Sequence, residues 1–272
     1  MYKITTLVEN CVYGRQLQSE HGLSLFIETP AHKLLFDTGA SDLFIRNARF
    51  LNINLEEVDY LILSHGHSDH TGGLRSFLKL NAKATVICKH EILYPKFKGE
   101  RENGITNARD LDLSRFNFID KTTEIVPNVF AVPLIEISNA EDTHFDHFLV
   151  CRNEGMLLDT FEDELVLVLT DARGISVISA CSHRGITNIM RTVRKSFLYL
   201  PCQLLLGGFH IHNAGQQKFE IIADYLQKDA PCQIGVCHCT GVDQYAFFQQ
   251  RFGNSVFYNY TGRVIQLNDP AS

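Results

Sequence analysis

The chain has 272 residues, of which 45% are hydrophobic and 21% charged, a composition typical of folded globular proteins. These proportions exclude a mostly disordered chain, which would have fewer apolar residues. The formal net charge of −6 provides no bulk attraction toward nucleic acid or anionic membranes, so we expect neither as a partner.

Neither an export signal nor a membrane span is visible, so we predict a cytoplasmic protein. The longest apolar runs, such as residues 165–169, have strand length and fall short of the roughly 18 residues that cross a bilayer. The N-terminus lacks an apolar segment followed by a small-residue cleavage site. The eight cysteines include no CxxC pair, and we interpret them as reduced thiols.

The first half of the chain predicts strands that lead into strand–helix units. Strand-like segments at 23–29 and 33–38 flank Pro30-Ala31-His32 and predict a hairpin. Ser41 is expected to cap a helix that runs to about Asn52. The next predicted elements are a strand at 60–64, a helix at about 71–80 and a strand at 84–89.

Residues 96–112 are polar and follow neither the helical nor the strand period. We therefore predict a long surface loop there, whose charges form a solvated face. A lid that covers substrate is the alternative interpretation of this segment.

The second half of the chain has the same order of predicted elements as the first, with strands that lead into strand–helix units. Its predicted strands lie at 128–136, 164–170, 175–181, 203–210 and 231–238, before a strand-like tail. Its predicted helices lie at 185–197, 216–227 and 242–251, and the first of them has one apolar face.

This order of elements favours two mixed sheets packed face to face with helices outside, a four-layer αββα sandwich of the α/β class. A single doubly wound sheet is the alternative, but it requires helical crossovers where this sequence has strand–strand pairs. No linker rich in Pro, Gly or Ser divides the chain, so we predict a single domain over residues 1–272.

The segment 63–74, LSHGHSDHTGGL, carries the strongest chemical signal. His65, His67, Asp69 and His70 place three imidazoles and one carboxylate in six positions after a predicted buried strand. All four side chains are ligands of first-row metals, and α/β sheets place their sites at such strand ends. The alternation directs His65 and His67 to one side of an extended loop. Asp69 and His70 then face another side, and two metal ions about 3.5–4 Å apart can share the loop.

This loop resembles the HxHxDH signature of the metallo-β-lactamase superfamily, and the resemblance extends over nearly the whole chain. It implies the αββα fold already favoured by the order of the strands. It also implies that Asp37, in Asp37-Thr38-Gly39, supports the ligand loop without binding metal itself.

Two later strand ends are predicted to complete the ligand set. His183 follows the strand at 175–181, and Ser182-His183 repeats the Ser64-His65 pair. The alternative for His183 is an ordinary histidine at a helix start. His238 ends another strand, where the resemblance implies a late histidine ligand.

Other histidines and thiols near these strand ends have open roles. His210 is a ligand, a proton donor or a substrate contact, whereas His212 is expected at the surface. Cys237 is interpreted as a core thiol, because successive strand residues face opposite ways.

Two positions of the superfamily pattern are harder to assign. The resemblance implies a bridging Asp near Cys181, which either binds metal as a thiolate or is an inert core thiol while His183 substitutes. The inert thiol is favoured. Two further histidines, His144 and His147, are candidates for a middle ligand. Together with two neighbouring carboxylates they are interpreted instead as a solvated loop. The two carboxylates are Asp142 and Asp146.

The stretches CSHRGITNI, LGGFHI and HCTG narrow the resemblance. They are similar to the branch that contains 7,8-dihydropterin-6-methyl-4-(β-D-ribofuranosyl)aminobenzene 5′-phosphate synthase. Relatives in that branch carry Gly-Glu-Ile-Pro-Arg and Asp-Asp-Gln stretches, where this chain has residues 136–139 (EISN) and 161–164 (FEDE). The differences indicate a different substrate or a different binding pose.

We predict a metal-dependent hydrolase with two divalent ions, expected to be zinc, with manganese and iron as alternatives. The ions lower the pKa of a bound water that attacks a phosphoester, lactone or similar small-molecule bond. Asp69 is the predicted proton acceptor as well as a ligand, and His210 the predicted proton donor.

Two other functions stay open. A pterin-related synthase would use the same metals, with Lys89, His90 and Lys96 as possible phosphate contacts, although exposed basic residues are the favoured interpretation of these three. A non-catalytic metal-binding or redox module is the third possibility. The expected partner is a small-molecule substrate, and the sequence does not determine the oligomeric state.

Overall fold

The first sheet of the computed structural model, which describes residues 1–267, has seven strands. They are β1 Tyr2–Val8, β2 Ser24–Glu28, β3 Lys33–Phe36, β4 Tyr60–Ile62, β5 Thr85–Cys88, β8 Phe116–Phe118 and β18 Val264–Leu267. Their spatial order is β18-β1-β2-β3-β4-β5-β8. The predicted hairpin is confirmed, because β2 and β3 pair antiparallel around the turn.

The second sheet also has seven strands. They are β9 Thr123–Val126, β10 Val129–Val132, β13 Val166–Asp171, β14 Gly174–Ile178, β15 Cys202–Gly207, β16 Gln233–Val236 and β17 Val256–Tyr258. Their spatial order is β17-β16-β15-β14-β13-β10-β9. In each sheet the strands at one side pair parallel and the others antiparallel. An α-helix joins the two strands of every parallel pair except β5 and β8, which are connected through β6 and β7.

The described residues form six α-helices, and all but the four-residue α2 cover the outer faces of the two sheets. They are α1 Leu43–Phe50, α2 Ser68–Thr71, α3 Leu74–Leu80, α4 Ile186–Ser196, α5 Gln216–Asp229 and α6 Val242–Phe252. The predicted cap at Ser41 is wrong by one residue, because the N-cap of α1 is Asp42, although the Ser41 hydroxyl accepts a hydrogen bond from the Leu43 amide at 3.1 Å. Among the helices described, none is both long enough and apolar enough to cross a bilayer.

Three apolar clusters show the layers. One cluster lies between the sheets and joins residues such as Ile4 and Phe36 to Leu167 and Leu206. A second packs α1 and α3 against the outer face of the first sheet. A third packs α4, α5 and α6 against the second sheet. The predicted αββα sandwich is therefore confirmed.

The helix predicted at 71–80 begins earlier and is divided into α2 and α3 at Gly72 and Gly73. A Cβ atom on Gly72 would lie 2.2 Å from the carbonyl oxygen of Ala40, so only glycine permits this approach. The break turns the chain sharply just after the histidine-rich loop.

A third, four-stranded sheet was not predicted. It consists of β6 Lys96–Lys98, β7 Arg101–Glu102, β11 Phe148–Arg152 and β12 Gly155–Leu158, in the order β12-β11-β6-β7. The prediction of an irregular, solvated segment at 96–112 is wrong for its first residues, because β6 pairs with β11 and Lys96 is only 2% exposed. Strands of two or three residues are too short to produce a readable period.

Candidate metal centre

The predicted ligands meet where parallel strands of both sheets end. The loop after β4 carries His65, His67, Asp69 and His70, and the second sheet contributes two residues after β14 and β16. These two are His183 and His238. The six side chains lie in two neighbouring groups, which we call the imidazole trio and the acidic trio. Strands that run parallel bring their carboxyl ends to one edge, which explains the convergence.

The imidazole trio consists of His65, His67 and His183. Their ring centroids are 4.8 to 5.0 Å apart in all three pairs. All three rings are buried, and the Nε2 atom of each has no hydrogen-bond partner. One ring nitrogen from each residue lies within 4.8 Å of the others.

A divalent cation fits this arrangement. A buried ring nitrogen without a partner costs roughly 1–3 kcal/mol, and three of them facing one another are rare in a folded protein. A cation with three imidazole ligands satisfies all three nitrogens at once. Burial lowers the pKa of His67 to about 3 and lowers the pKa values of His65 and His183 well below 6.5. All three rings are therefore neutral at pH 7, the form that binds metal.

The acidic trio consists of Asp69, His70 and His238. The Asp69 carboxylate lies 3.3 Å from His238 Nε2 and 3.7 Å from His70 Nε2. The two Nε2 atoms are 3.2 Å apart. His21, which the sequence did not single out, adds its Nε2 atom 3.2 Å from the same carboxylate.

Charge distinguishes the acidic trio from the imidazole trio. Burial alone would raise the pKa of Asp69, but the His70 charge and contacts from His21 and His238 hold it well below its usual value. Burial alone would lower the pKa of His70, but the carboxylates of Asp69 and Asp37 raise it. Burial lowers the pKa of His238 to about 4.

Cys181 lies between the two trios. Its sulfur is 3.2 Å from His70 Nε2, and it belongs to possible ligand groups with His65, with His183 and with His238. Burial raises the pKa of this thiol well above 9. The thiol is buried beside both trios, and the favoured inert thiol and the alternative of a metal-binding thiolate both stay predictions. Cys237, by contrast, packs in the core between the sheets, as predicted.

Asp37 supports both trios from behind, as predicted. One carboxylate oxygen lies 2.8 Å from His70 Nδ1 and accepts a hydrogen bond from the Ser64 hydroxyl at 2.7 Å. The same hydroxyl lies 2.9 Å from His65 Nδ1. Asp37 is fully buried, so it fixes the orientation of two imidazoles on opposite sides of the site.

Other supporting residues carried no motif in the sequence. Glu9 accepts a hydrogen bond from the His238 amide at 2.6 Å, and Asn10 Oδ1 lies 2.9 Å from His238 Nδ1. Glu164 accepts hydrogen bonds from the backbone amides of His183 and Arg184. Burial raises the pKa of the Glu164 carboxyl group to about 7. Acidic residues at strand ends are common, so only the tertiary contacts identify these.

A second buried network supports the loop from the side of the small sheet. Lys96 donates hydrogen bonds to Asp159 at 2.6 Å and to Asp163 at 3.0 Å, and Asp163 accepts the Gly66 amide at 2.7 Å. Phe161 stacks on the His183 ring with centroids 3.7 Å apart. The prediction that Lys89 and Lys96 are exposed is wrong, because both are buried.

His210 stands beside the imidazole trio, with its ring 4.2 Å from that of His183. Its Nδ1 atom is buried without a partner, and burial lowers the pKa of the ring well below 6.5. His144 lies behind it, at 5.3 Å between the ring centroids. The prediction of a solvated loop is wrong for His144 and Asp142, which are buried, and holds for the exposed Asp146 and His147. Asp146 and His147 therefore lie outside both trios.

A cleft of about 300 Å³ opens beside His210. Its lining includes Lys98 of β6, Phe148 of β11 and Lys218 of α5. His212 lines it too and is exposed, as predicted.

Backbone conformation marks the same strand ends. Asp37, Ser182, His210 and His238 have φ angles of 60°, 56°, 52° and 50°. Non-glycine residues rarely adopt this left-handed conformation, and it persists only where surrounding contacts enforce it, often at functional sites. Four such residues around one centre support a functional role for it.

Comparisons with known proteins agree with the fold and identify the family. The family model of the Metallo-beta-lactamase superfamily matches residues 19–149. A curated relative from Methanocaldococcus jannaschii, named 7,8-dihydropterin-6-methyl-4-(beta-D-ribofuranosyl)-aminobenzene-5'-phosphate synthase, is 28% identical. The match covers 97% of this chain and 96% of that protein.

Solved structures extend the comparison. Tm1679, described as a metal-dependent hydrolase of the beta-lactamase superfamily, is 32% identical. It superimposes with a TM-score of 0.87 over 99% of this chain and 100% of its own. YhfI from Bacillus subtilis, a metallo-beta-lactamase fold protein, shares the fold at 14% identity and a TM-score of 0.60, over 97% of this chain and 98% of its own.

Proposed function

Since the chain belongs to the metallo-beta-lactamase superfamily and is an enzyme with its metallohydrolase fold, we propose that it is a hydrolase with two divalent metal ions. One ion is held by the imidazole trio and the other by the acidic trio. Zinc suits ligand sets of imidazole and carboxylate, and manganese and iron are the alternatives. The substrate is a small molecule with a phosphoester, lactone or similar bond.

The observation that carries this proposal is the imidazole trio. Three neutral, buried rings direct unpartnered Nε2 atoms toward one point, and no protein donor or acceptor meets them. Without a metal at this point, three ring nitrogens would be desolvated with no hydrogen bond or ligand bond to offset the cost. The acidic trio lies next to it and adds a carboxylate, which suits a second cation.

The bound ions would supply water of lowered pKa and polarise a carbonyl or phosphoryl oxygen. Asp69 accepts a proton in our scheme, because its carboxylate is ionised at neutral pH and lies at the edge of the acidic trio. His210 acts on the leaving group, because it joins the imidazole trio to the cleft. Its ring is neutral at pH 7, so it donates a hydrogen bond to the departing oxygen.

Cys181 is a third candidate ligand, at the position where the two trios meet. Its sulfur is buried and close to His70, so a cation in either trio would lower its pKa and favour the thiolate. We keep this as an alternative to a site in which only the two trios bind metal.

A metal count tests the proposal directly. Plasma mass spectrometry on the purified chain should find close to two divalent ions in the wild type and close to one in His183→Ala. His212→Ala is the matched control, because that histidine is exposed and lies outside both trios. A wild-type chain that binds fewer than one ion when supplied with excess zinc would contradict the proposal.

A synthase related to the Methanocaldococcus jannaschii relative is the second candidate function. The observation that favours it is similarity over 97% of this chain, which includes both sheets. Turnover of bis(4-nitrophenyl) phosphate or of simple lactones by the metal-loaded chain would support the hydrolase. Activity that strictly requires two organic substrates, with no hydrolysis of either alone, would support the synthase instead.

A further inference from the structure

We propose that the cleft beside His210 binds the phosphate monoester of the substrate, with Lys98 and Lys218 as its cationic contacts. The inference rests on the proposed function, because it assigns the part of the substrate that lies next to the metal centre. It differs from the earlier expectation at Lys89, His90 and Lys96. Two of those three are buried, and Lys96 is already paired with two carboxylates.

The charge of the cleft is the first argument. Its lining includes two lysines and four histidines, whereas Asp146 is the one carboxylate among its lining residues. The larger cleft between α5 and α6, about 670 Å³, has one glutamate and one arginine as its charged lining residues and does not include His210, the residue through which the smaller cleft adjoins His183. The smaller cleft is therefore the one that combines positive charge with a position beside the metal centre.

The position of the two lysines is the second argument. Lys98 is exposed on β6, with its ammonium group 5.3 Å from the centre of the Phe148 ring. Lys218 lies in the first turn of α5, donates a hydrogen bond to the Thr143 carbonyl at 2.8 Å and has its ammonium nitrogen 3.5 Å from His144 Nδ1. An ammonium group has three donors, so Lys218 is anchored and still has a donor for a ligand.

The helix end and the buried histidines provide the third argument. The first turn of α5 has no side-chain cap and no acidic residue, so its amide groups and dipole favour an anion at the cleft. His144 and His210 line the same cleft, and each has a buried ring nitrogen without a partner. Neutral imidazole can donate a hydrogen bond to a phosphate oxygen.

Size and charge together favour a phosphate monoester over a monoanionic group. A volume of about 300 Å³ is at the lower end for small-molecule sites, and it suits a compact head group with a short connection to the reacting bond. Two ammonium groups outweigh the one lining carboxylate, Asp146, so the cleft favours an anion. The two lysines and the two neutral histidines His144 and His210 provide more donors than the two oxygens of a carboxylate can accept, whereas a phosphate monoester presents three terminal oxygens.

The test is titration calorimetry on the metal-loaded chain with phenylphosphonate, which resembles a phosphate monoester and is not hydrolysed. Binding by Lys98→Gln/Lys218→Gln should be at least about tenfold weaker than wild type, with the metal content unchanged. The control is Lys79→Gln/Lys228→Gln, which removes the same charge from exposed positions outside the cleft and should bind like wild type. Benzoate should bind more weakly than phenylphosphonate and lose less affinity in the cleft variant.

Several results would overturn the inference. They are wild-type affinity in the cleft variant, an equal loss in the control variant, and benzoate binding as tight as that of phenylphosphonate. Because Lys218 also anchors Thr143, Lys98→Gln alone and Lys98→Gln/Lys218→Arg are measured as well. Both should weaken binding, and the second should weaken it less than the double glutamine variant.

The same samples separate this inference from the proposed function. If the chain hydrolyses bis(4-nitrophenyl) phosphate but its lysine variants bind phenylphosphonate as tightly as wild type, the cleft inference is wrong and the proposed hydrolase function stands. If a chain that takes up no metal still binds phenylphosphonate in a lysine-dependent way, the cleft inference is supported and the proposed metal centre is contradicted.

Discussion

The imidazole trio and the acidic trio lie on either side of Cys181, yet they are built from different chemistry. In the imidazole trio, three neutral rings have unpartnered Nε2 atoms and pack against Phe161. In the acidic trio, a carboxylate and two imidazoles already contact one another at 3.2 to 3.7 Å. A cation at the first satisfies groups that have no other partner, whereas a cation at the second must replace existing contacts.

This difference predicts an order of metal binding. The imidazole trio should fill first and most tightly, because it gains three ligand bonds and loses no protein contact. The acidic trio should fill second, with an affinity that depends on ionisation of Asp69 and on deprotonation of His70. Each of the following experiments alters one side of the comparison and leaves the other side in place.

Loss of a ring from the imidazole trio should have the largest effect. His67→Ala should remove the tighter metal ion and lower metal-dependent turnover roughly a thousandfold, since a bound ion supplies several kcal/mol of transition-state stabilisation. Initial rates and metal content are measured on the same sample. His90→Ala, at an exposed histidine outside both trios, is the control. Full turnover by His67→Ala with two bound ions would contradict the scheme.

Removal of the ring beneath the imidazole trio should be the next largest effect. Phe161 is fully buried and stacked on His183, so Phe161→Ala should lower the free energy of unfolding by about 3–5 kcal/mol. It should also lower the affinity of the imidazole trio for its metal ion and leave the affinity of the acidic trio nearly unchanged. Urea unfolding and stepwise zinc titration test both parts, with Phe161→Leu as the milder variant. Equal weakening of both ions would show that the trios are not independent.

Asp37 gives an opposite test, because it directly contacts His70 of the acidic trio and reaches His65 only through Ser64. Asp37→Asn keeps the shape and removes the charge, and it should weaken the second metal ion roughly 10–100-fold. The first ion should lose less affinity. A competition titration with a chromophoric chelator gives both constants. A larger loss at the imidazole trio would reverse our account of this carboxylate.

The pH dependence of the metal-free chain should show the smallest effect. Because the pKa of His67 is about 3 when folded and 6.5 when unfolded, the unfolded chain takes up the proton as pH falls below 6.5. The stability that His67 contributes is therefore present above pH 6.5 and decreases toward pH 3, by about 2 kcal/mol between pH 7 and pH 5. Urea unfolding of the chelator-treated wild type should show a steeper loss over this range than His67→Ala. Identical slopes would exclude this contribution.

The sequence predicted most of the fold, because helices and strands of ordinary length leave a periodic apolar pattern. The face of α4 formed by Ile186, Ile189 and Met190 is buried as the spacing indicated. The pairing of β6 with β11 left no such pattern, since both are short and lie far apart in the chain. The burial of Lys96 was also hidden, because its two carboxylate partners come from a segment more than sixty residues later.

The sequence by itself determined which residue types could bind metal, because His65, His67, Asp69 and His70 are adjacent in one loop and one backbone turn fixes their neighbourhood. Only the tertiary structure decided the partners. His183 joins His65 and His67, and His238 joins Asp69, because the parallel strands of two facing sheets end at the same edge.

The same physical reason explains the residues that sequence reasoning missed. Glu9 acts through a contact with His238 made across the sandwich, and a local pattern cannot encode a distance between two sheets. His144 had two interpretations in the sequence. Burial and contact with other side chains decide between them, and both are properties of the packed chain.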